Sequence, residues 1–364
     1  MREGIRNRFS ISLACLLGFA LLLSAGTALA KKPVPPDPDP DPVATGVVYF
    51  EDADGGLAYV PADDSADPTT LYVPAGEISS SKHGDEYWVL YAAEVGGSDP
   101  DKINPLRQLF VEAVDGLTTP IQLTDYDALS LSRSTYDAPV YAWGPDDDTV
   151  VFVAVEWAND GDGDYATGAG IYEIALTWAA DGNSVTAGRP VKLAACAWQT
   201  VATGETFFRY GPSLSWSPDG TALTTGYYDP DTQETVVVTI DLTDGDVTRL
   251  VEGAAYPTYP LWSVDGDWIY YDASDWSGIR RVSVDGVDDE EVLDPEDSRK
   301  FTYDAIGPMH WAPDGGAFAY RHKSVKLGRL PQDSVTTNEI AMYDLTSGQS
   351  TILCEGVRAL AWRP

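Results

Sequence analysis

The chain has 364 residues, with 23 basic and 57 acidic side chains and a formal net charge of −34. Charge of that sign and size argues against nucleic acid and anionic membrane surfaces as partners. Hydrophobic residues make up 44%, enough for a sizeable core, while three cysteines and three histidines leave little for a disulfide or zinc framework.

Residues 1–30 read as a signal peptide. Arg2, Arg6 and Arg8 form a charged start, Leu13–Leu23 is apolar but short for a membrane span, and Ala28-Leu29-Ala30 offers a small-x-small cleavage site. Cys15 has no lipobox around it. Residues 31–44 read as a linker, because the alternating Pro and Asp of KKPVPPDPDPDP favour an extended, self-repelling chain. Cleavage leaves 20 basic and 56 acidic residues, a net of −36. The mature chain is expected to be exported to the periplasm or the extracellular space, soluble, with no membrane insertion after cleavage. Residues 45–364 show no composition break and read as one domain.

Short alternating segments follow one another along that domain, which predicts an all-β fold. GVVYFED, GLAYVPA and TTLYVP, from Gly46 to Pro74, are three strands with no strand before them. The next unit starts weakly at EISSSKHGDE, then gives YWVLYAAEV, RQLFVEAV and TPIQLT. A second gives PVYAW, TVVFVAVEW, GIYEIALTW and VKLAA; a third gives PSLSW, TALTTGYYD, TVVVTIDL and VTRLV. A fourth gives YPLWS, WIYYDAS, GIRRVSV and EEVLD, and a fifth GPMHW, AFAYRHK, EIAMYDL and STILC. VRALAWRP closes the chain as a lone strand.

Each unit is anchored by a tryptophan at the end of its first strand: Trp143, Trp216, Trp262, Trp311 and Trp362, at spacings of 73, 46, 49 and 51 residues. A period near 40–50 residues with four strands per unit points to a propeller. In Trp216–Gly220, WSPDG, Pro218 presets a type I turn, Asp219 accepts backbone N–H bonds, and Gly220 tolerates positive φ. Trp262–Gly266, Trp311–Gly315 and the degenerate Trp143–Asp147 vary the phrase. This repeat resembles the WD40-like repeat of TolB-type propellers over roughly residues 45–364. The resemblance implies six blades. Pairing VRALAWRP with the three N-terminal strands supplies the sixth, and it hides strand edges that would otherwise invite aggregation. No separate α/β domain is read ahead of the propeller, which sets the chain apart from TolB itself.

Strand order then sorts the connections onto two faces. The first-to-second and third-to-fourth strand turns share one face and are short. The other face collects long connections: Asp125–Asp137, Trp157–Ala169, Ala194–Gly211, Asp294–Gly307 and Arg321–Asn338. Long loops on a rigid scaffold carry binding, so this face is the expected working surface. Tyr136, Tyr210, Tyr256 and Tyr303 each precede an anchor tryptophan and read either as a ring at the channel mouth or as packing between blades. Trp198, Phe207, Phe208, Arg209 and Tyr210 offer aromatic and cationic partner contacts. Arg321, His322, Lys323, Lys326 and Arg329 form a basic run that reads as a site for an acidic partner or as local charge neutralisation. Alternating Asp160, Asp162 and Asp164 suit Ca²⁺, though Tyr165 and Ile171 fall where an EF-hand-like loop wants Gly and Glu. A solvated turn is the other reading, and no other cofactor is expected.

No G-x-S-x-G elbow is present, and His83, His310 and His322 have no zinc-ligand spacing. His310, just before an anchor tryptophan, is placed on the channel wall or in a blade contact. Cys196 and Cys354 end the fourth strands of opposite blades, too far apart for a disulfide, which predicts two free thiols. The expected function is a monomeric, non-catalytic protein-binding scaffold of the cell envelope. Its candidate contacts are Phe207, Phe208, Arg209, Tyr210, His310, Arg321, Lys323, Lys326 and Arg329. The alternative is a propeller that binds or cleaves an acidic polysaccharide at the channel mouth.

Overall fold

The computed structural model describes residues 46–363 except 64, 80–86, 95–106, 115, 117, 126–130, 134–139, 160–163, 183, 196–197, 201–205, 209–212, 230–231, 233, 255–257, 274–277, 294–307 and 327–334. The segment read as signal peptide and linker lies outside the described residues, as do Cys196, His83, Tyr136, Tyr256 and Tyr303.

The domain begins with β1 (Val47–Glu51), β2 (Gly56–Pro61) and β3 (Thr69–Pro74). The next blade is β4 (Glu77–Ile78), β5 (Trp88–Glu94), β6 (Arg107–Ala113) and β7 (Ile121–Gln122). The second blade contains β8 (Leu131–Arg133), β9 (Tyr141–Trp143), β10 (Thr149–Asn159), β11 (Asp164–Trp178), β12 (Val185–Ala187) and β13 (Val191–Ala195). A small hairpin follows, β14 (Trp198–Thr200) with β15 (Thr206–Phe208). The third blade is β16 (Ser215–Trp216), β17 (Ala222–Asp229), β18 (Glu234–Asp241) and β19 (Val247–Ala254). The fourth is β20 (Leu261–Trp262), β21 (Trp268–Asp272), β22 (Ile279–Ser283) and β23 (Asp289–Leu293). The fifth is β24 (His310–Trp311), β25 (Ala317–Lys326), β26 (Val335–Asp344) and β27 (Gln349–Glu355). Finally β28 (Arg358–Arg363) pairs with β1, giving the sheet order β28-β1-β2-β3. Both termini therefore build the sixth blade, as the lone strands require.

Period-two alternation explains why these sheets stack into a ring. In β10, Val150, Phe152 and Ala154 face the first blade, while Val151 and Val153 face the third. In β18, Val236, Val238 and Ile240 point back to the second blade and Val237 points on to the fourth. Further cores join the fourth and fifth blades around Tyr270 and Phe318, the fifth and sixth around Ile340 and Trp362, and the sixth and first around Leu57 and Val89. Each blade thus buries both faces, and the six interfaces close on themselves.

The tryptophan turns form as the sequence implies. The N–H of Gly220 bonds Ser217 O at 2.9 Å, Ser217 Oγ donates to Asp219 Oδ1 at 2.6 Å, and Gly220 has φ of 71°. Ser263, Asp265 and Gly266 repeat the arrangement, with φ of 81° at the glycine. Asp147 takes the glycine place in the second blade at φ 59°, a conformation that Asp tolerates better than most side chains.

Two of the long connections are not loops. Trp157–Ala169 and Arg321–Asn338 are largely continuations of β10–β11 and β25–β26, paired out to Asn159↔Asp164 and Lys326↔Val335. These stretches read as loop, but the backbone ladder carries on through their described residues. Strand β8 continues the edge of β10 where β9 stops, and β12 and the β14–β15 hairpin are likewise additions to the plain four-strand plan.

Blade-to-blade contact is close at Gly226. A Cβ there would lie 2.4 Å from Thr258 Cγ2 and 3.3 Å from Thr258 O. Gly226→Ala is expected to destabilise the domain by about 1–3 kcal/mol. Thr258→Ser, which removes that methyl, is expected to restore part of the loss in a double-mutant cycle read by urea unfolding.

Candidate functional site

The innermost strands of all six blades surround a central cavity of about 810 Å³. Glu77 and Ile78 come from the first blade, Tyr141–Pro145 from the second, Ser213–Pro218 from the third, Tyr259–Leu261 from the fourth, Pro308–His310 from the fifth, and Arg358 and Arg363 from the sixth. These strands are short because they converge on the ring axis, where larger sheets would collide.

Register fixes the depth of each polar group. Arg358 pairs with Glu51, and Asp272 Oδ2 accepts the N–H of Tyr259 at 3.1 Å, so these groups share the level where first strands begin and second strands end. Arg321, two residues past Ala319 in its pairing with His310, reaches the same level. This is the channel mouth on the face of the long connections. Arg363 pairs with Val47 at the other end.

The electrostatics of the channel run against the acidic whole. Arg358 Nε lies 2.6 Å from Glu51 Oε2. Arg363 donates to the carbonyls of Ser79 and Ile78, and to Trp362 O at 3.0 Å. Burial lowers its pKa, opposed chiefly by the charge of Asp147. Burial pushes the Glu77 carboxyl up to about 7, against the N–H of Trp143 and the charges of Arg358 and Arg363. His310 is pushed down to about 3 by burial and by Arg363 and Arg358, so it stays neutral at ordinary pH. Asp272 is held well above the usual carboxylate range by burial, with Arg321 and the Tyr259 N–H pulling the other way. Tyr259 is raised for the same leading reason. Glu77 and His310 sit deep in the ring yet only half-buried, because they face the void, and a polar cavity of this size admits water.

The structure places the sequence candidates unevenly. His310 and Arg321 line the channel together. His322, on the opposite side of the same strand, holds Glu339 Oε2 at 2.9 Å. Strand alternation therefore splits the basic run. Lys323 pairs with Asn338 and Lys326 with Val335 in the outer part of the hairpin, and Arg329 lies outside the described residues. Phe207 and Phe208 belong to β15, paired with Gln199 and Trp198, while Arg209 and Tyr210 lie outside the described residues. Asp164 opens β11, and Asp160 and Asp162 fall outside. Cys354 is half-buried against the core between the fifth and sixth blades.

Sequence reasoning missed Glu77, Tyr259, Asp272, Arg358 and Arg363. The available signal was charge on an innermost strand, as in VRALAWRP, where both arginines flank an apolar run.

The charges that act on Glu77 are those of arginines, and Asp272 lies on the fourth blade, across the ring from Glu77 on the first. The two raised carboxyls therefore do not form the close pair that glycoside hydrolysis uses. Among the described residues no cluster of three His, Cys, Asp or Glu is arranged to hold a metal.

No family model matches the chain. It is 29% identical over 143 residues to an uncharacterized protein of Agrobacterium fabrum. That match covers 38% of this chain and 47% of the relative, so it spans less than half the relative's length. Among solved structures it is similar to TolB from Acinetobacter baumannii, at 14% identity and a TM-score of 0.46, over 85% of this chain and 68% of that one. It is also similar to a protein assigned as TolB from Agrobacterium tumefaciens, at 16% identity and a TM-score of 0.45, over 87% and 90%. The fold neighbours are TolB-like propellers. The six-bladed ring itself rests on the strand pairing and the closed circle of inter-blade cores.

The channel makes stability depend on pH in two opposed ways. Glu77 has a folded pKa above its ordinary 4.5, so its contribution is full below pH 4.5 and is lost as pH rises through about 7. His310 lies below its ordinary 6.5, so its contribution is full above pH 6.5 and is lost as pH falls toward 3. Glu77→Gln is expected to match the parent at pH 4 and exceed it at pH 8, by at most about 3 kcal/mol because channel water solvates the carboxylate. Urea unfolding at both pH values checks this. In the variant the His310 contribution, which rises up to pH 6.5, remains opposed by that of Asp272, whose raised pKa acts in the same sense as that of Glu77.

Proposed function

We propose that this chain is an exported, non-catalytic binding scaffold of the cell envelope that engages a protein partner through the face around the channel mouth. The observation that carries the reading is the pair of hairpins projecting there. Beyond the end of β13, β10–β11 continues from Val155↔Ala169 to Asn159↔Asp164, about 17 Å of paired strand. Beyond the end of β27, β25–β26 continues from Lys323↔Asn338 to Lys326↔Val335, about 13 Å.

Paired strands hold their side chains at fixed spacing, so less conformational freedom is lost on binding than with irregular loops. Cross-strand contacts stiffen both hairpins. Glu156 accepts from Lys192 at 2.5 Å and from Tyr172 Oη at 2.6 Å, and these bonds lower its pKa. His322 and Glu339 do the same work on the other hairpin. Such half-exposed pairs stabilise by no more than about 1 kcal/mol each, so their role here is geometric. Among the described residues, three turns of the opposite face are tight Ser-x-Asp-Gly turns whose carboxylates are occupied by their own backbone. The reading of residues 1–30 as an export signal is part of the proposal and supplies the compartment.

Site-specific photo-cross-linking tests the working face. A cross-linking residue in place of Lys323 is expected to yield a protein adduct in cells that export the chain, and one in place of Asp244, on the opposite face, none. Adducts from Asp244 alone, or from neither position, would overturn the reading.

A further inference from the structure

We propose that the channel mouth is a binding site for a small organic carboxylate, gripped by the guanidinium of Arg321. This deepens the scaffold reading, on which it rests only for the choice of working face.

The argument starts from unmet hydrogen-bond capacity. Arg321 Nε is shielded from solvent and has no hydrogen-bond partner, and among the described residues Arg321 makes no ion pair. An unsatisfied buried charged donor is costly, and native interiors almost always pair one. Three further atoms of the cavity lining are buried without a hydrogen-bond partner: Ser213 Oγ and Trp216 Nε1 on the third blade, and Arg358 Nε on the sixth, whose charge is nonetheless met by Glu51. The tryptophan is a departure within the repeat. Trp143 Nε1 donates to Glu77 O at 3.0 Å and Trp311 Nε1 to Trp262 O at 2.7 Å, each tying a blade to the one before it. Trp216 makes no such bond. A guanidinium only donates, so the ligand that meets Arg321 must accept.

The other cations narrow the charge. Arg358 already faces Glu51, and Arg363 is engaged by three backbone carbonyls. Arg321 is the cation at the mouth with its charge unmatched. Asp272 lies close enough to influence it electrostatically, yet that carboxyl is itself held toward its neutral form by burial. One unmatched guanidinium among Glu51, Glu77 and Asp272 suits a monoanion better than a phosphate dianion, which those carboxyls would repel. Planar carboxylate matches the guanidinium fork. Leu214, Leu261 and Met309 give the cavity apolar wall for a hydrocarbon or ring body, and about 810 Å³ is the size of a small-molecule site.

The test uses the full mature protein and two acid/neutral pairs, benzoate against benzamide and galacturonate against galactose, read by tryptophan fluorescence and calorimetry. At least one acid is expected to bind at one site per chain, and its neutral counterpart not to. Arg321→Gln is expected to weaken that binding about 10- to 100-fold. It should leave the melting temperature unchanged or raised, because no native bond is broken. Arg321→Lys, which keeps the charge without the fork, is expected to fall between. The inference is overturned if neither acid outbinds its neutral counterpart, if Arg321→Gln binds as the parent does, or if that variant loses stability along with binding. Preferential binding of inorganic phosphate, or binding of a tri-glutamate peptide alone, also overturns it. Loss of probe binding in Arg321→Gln with the Lys323 cross-link intact leaves both readings standing. Loss of the cross-link with probe binding intact removes the scaffold reading alone.

Discussion

Everything in this molecule depends on the pairing of its last strand with its first. A blade has two apolar faces and can bury both only if a neighbour stands on each side. In an open row the end blades would each leave a face in water. The β28–β1 ladder removes those ends: Val48 and Trp362 pair directly, and both are essentially inaccessible to solvent. Trp362 packs with Val60 and Ala319 into the core between the fifth and sixth blades, while Tyr49 and Leu360 face the first. Closure is therefore a packing requirement met by backbone pairing, and it removes the open sheet edges that invite association.

The closing strand also carries the channel's charge. Arg358 and Arg363 stand near the two ends of β28, so the element that completes the ring places one cation toward each end of the cavity. Most described acids lie elsewhere, and many are used locally. Asp219, Asp265 and Asp285 each accept from a serine two residues earlier, which holds their pKa below the ordinary value. A strongly negative exterior thus encloses a channel with an unmatched cation. Such a field slows the approach of an anion and also repels anions at random, so whatever binds in the channel does so through short-range contacts that survive screening.

How much of this could be read from the sequence follows from what each pattern measures. Alternation and the tryptophan phrase report which side chains are buried, and burial between blades defines the fold. The six blades and the closure at the termini were legible for that reason. The hairpin extensions were not, because DYATGAG shows little alternation, and its pairing is held by backbone bonds that no side-chain pattern announces. Arg321 was noticed, but as one of a surface run. Period-two geometry puts it on the channel side and His322 on the other, and no count of charges could separate them. Glu77 and Asp272 were hidden among 57 acids, where only the ring's geometry marks them as buried.

The unmet donors of the channel mouth can persist because the ring around them is over-determined. Six interlocked cores fix the innermost strands, and a strained or unsatisfied group costs less than dismantling any one interface. The same rigidity keeps the wall from collapsing onto Arg321 to satisfy it. Asp272 lies near, yet its Oδ2 is engaged by the Tyr259 N–H and its Oδ1 is left without a partner. A flexible site would have closed those two groups onto each other. That they stay unpaired in a tightly packed frame is the physical reason to regard the mouth as a surface prepared for something else.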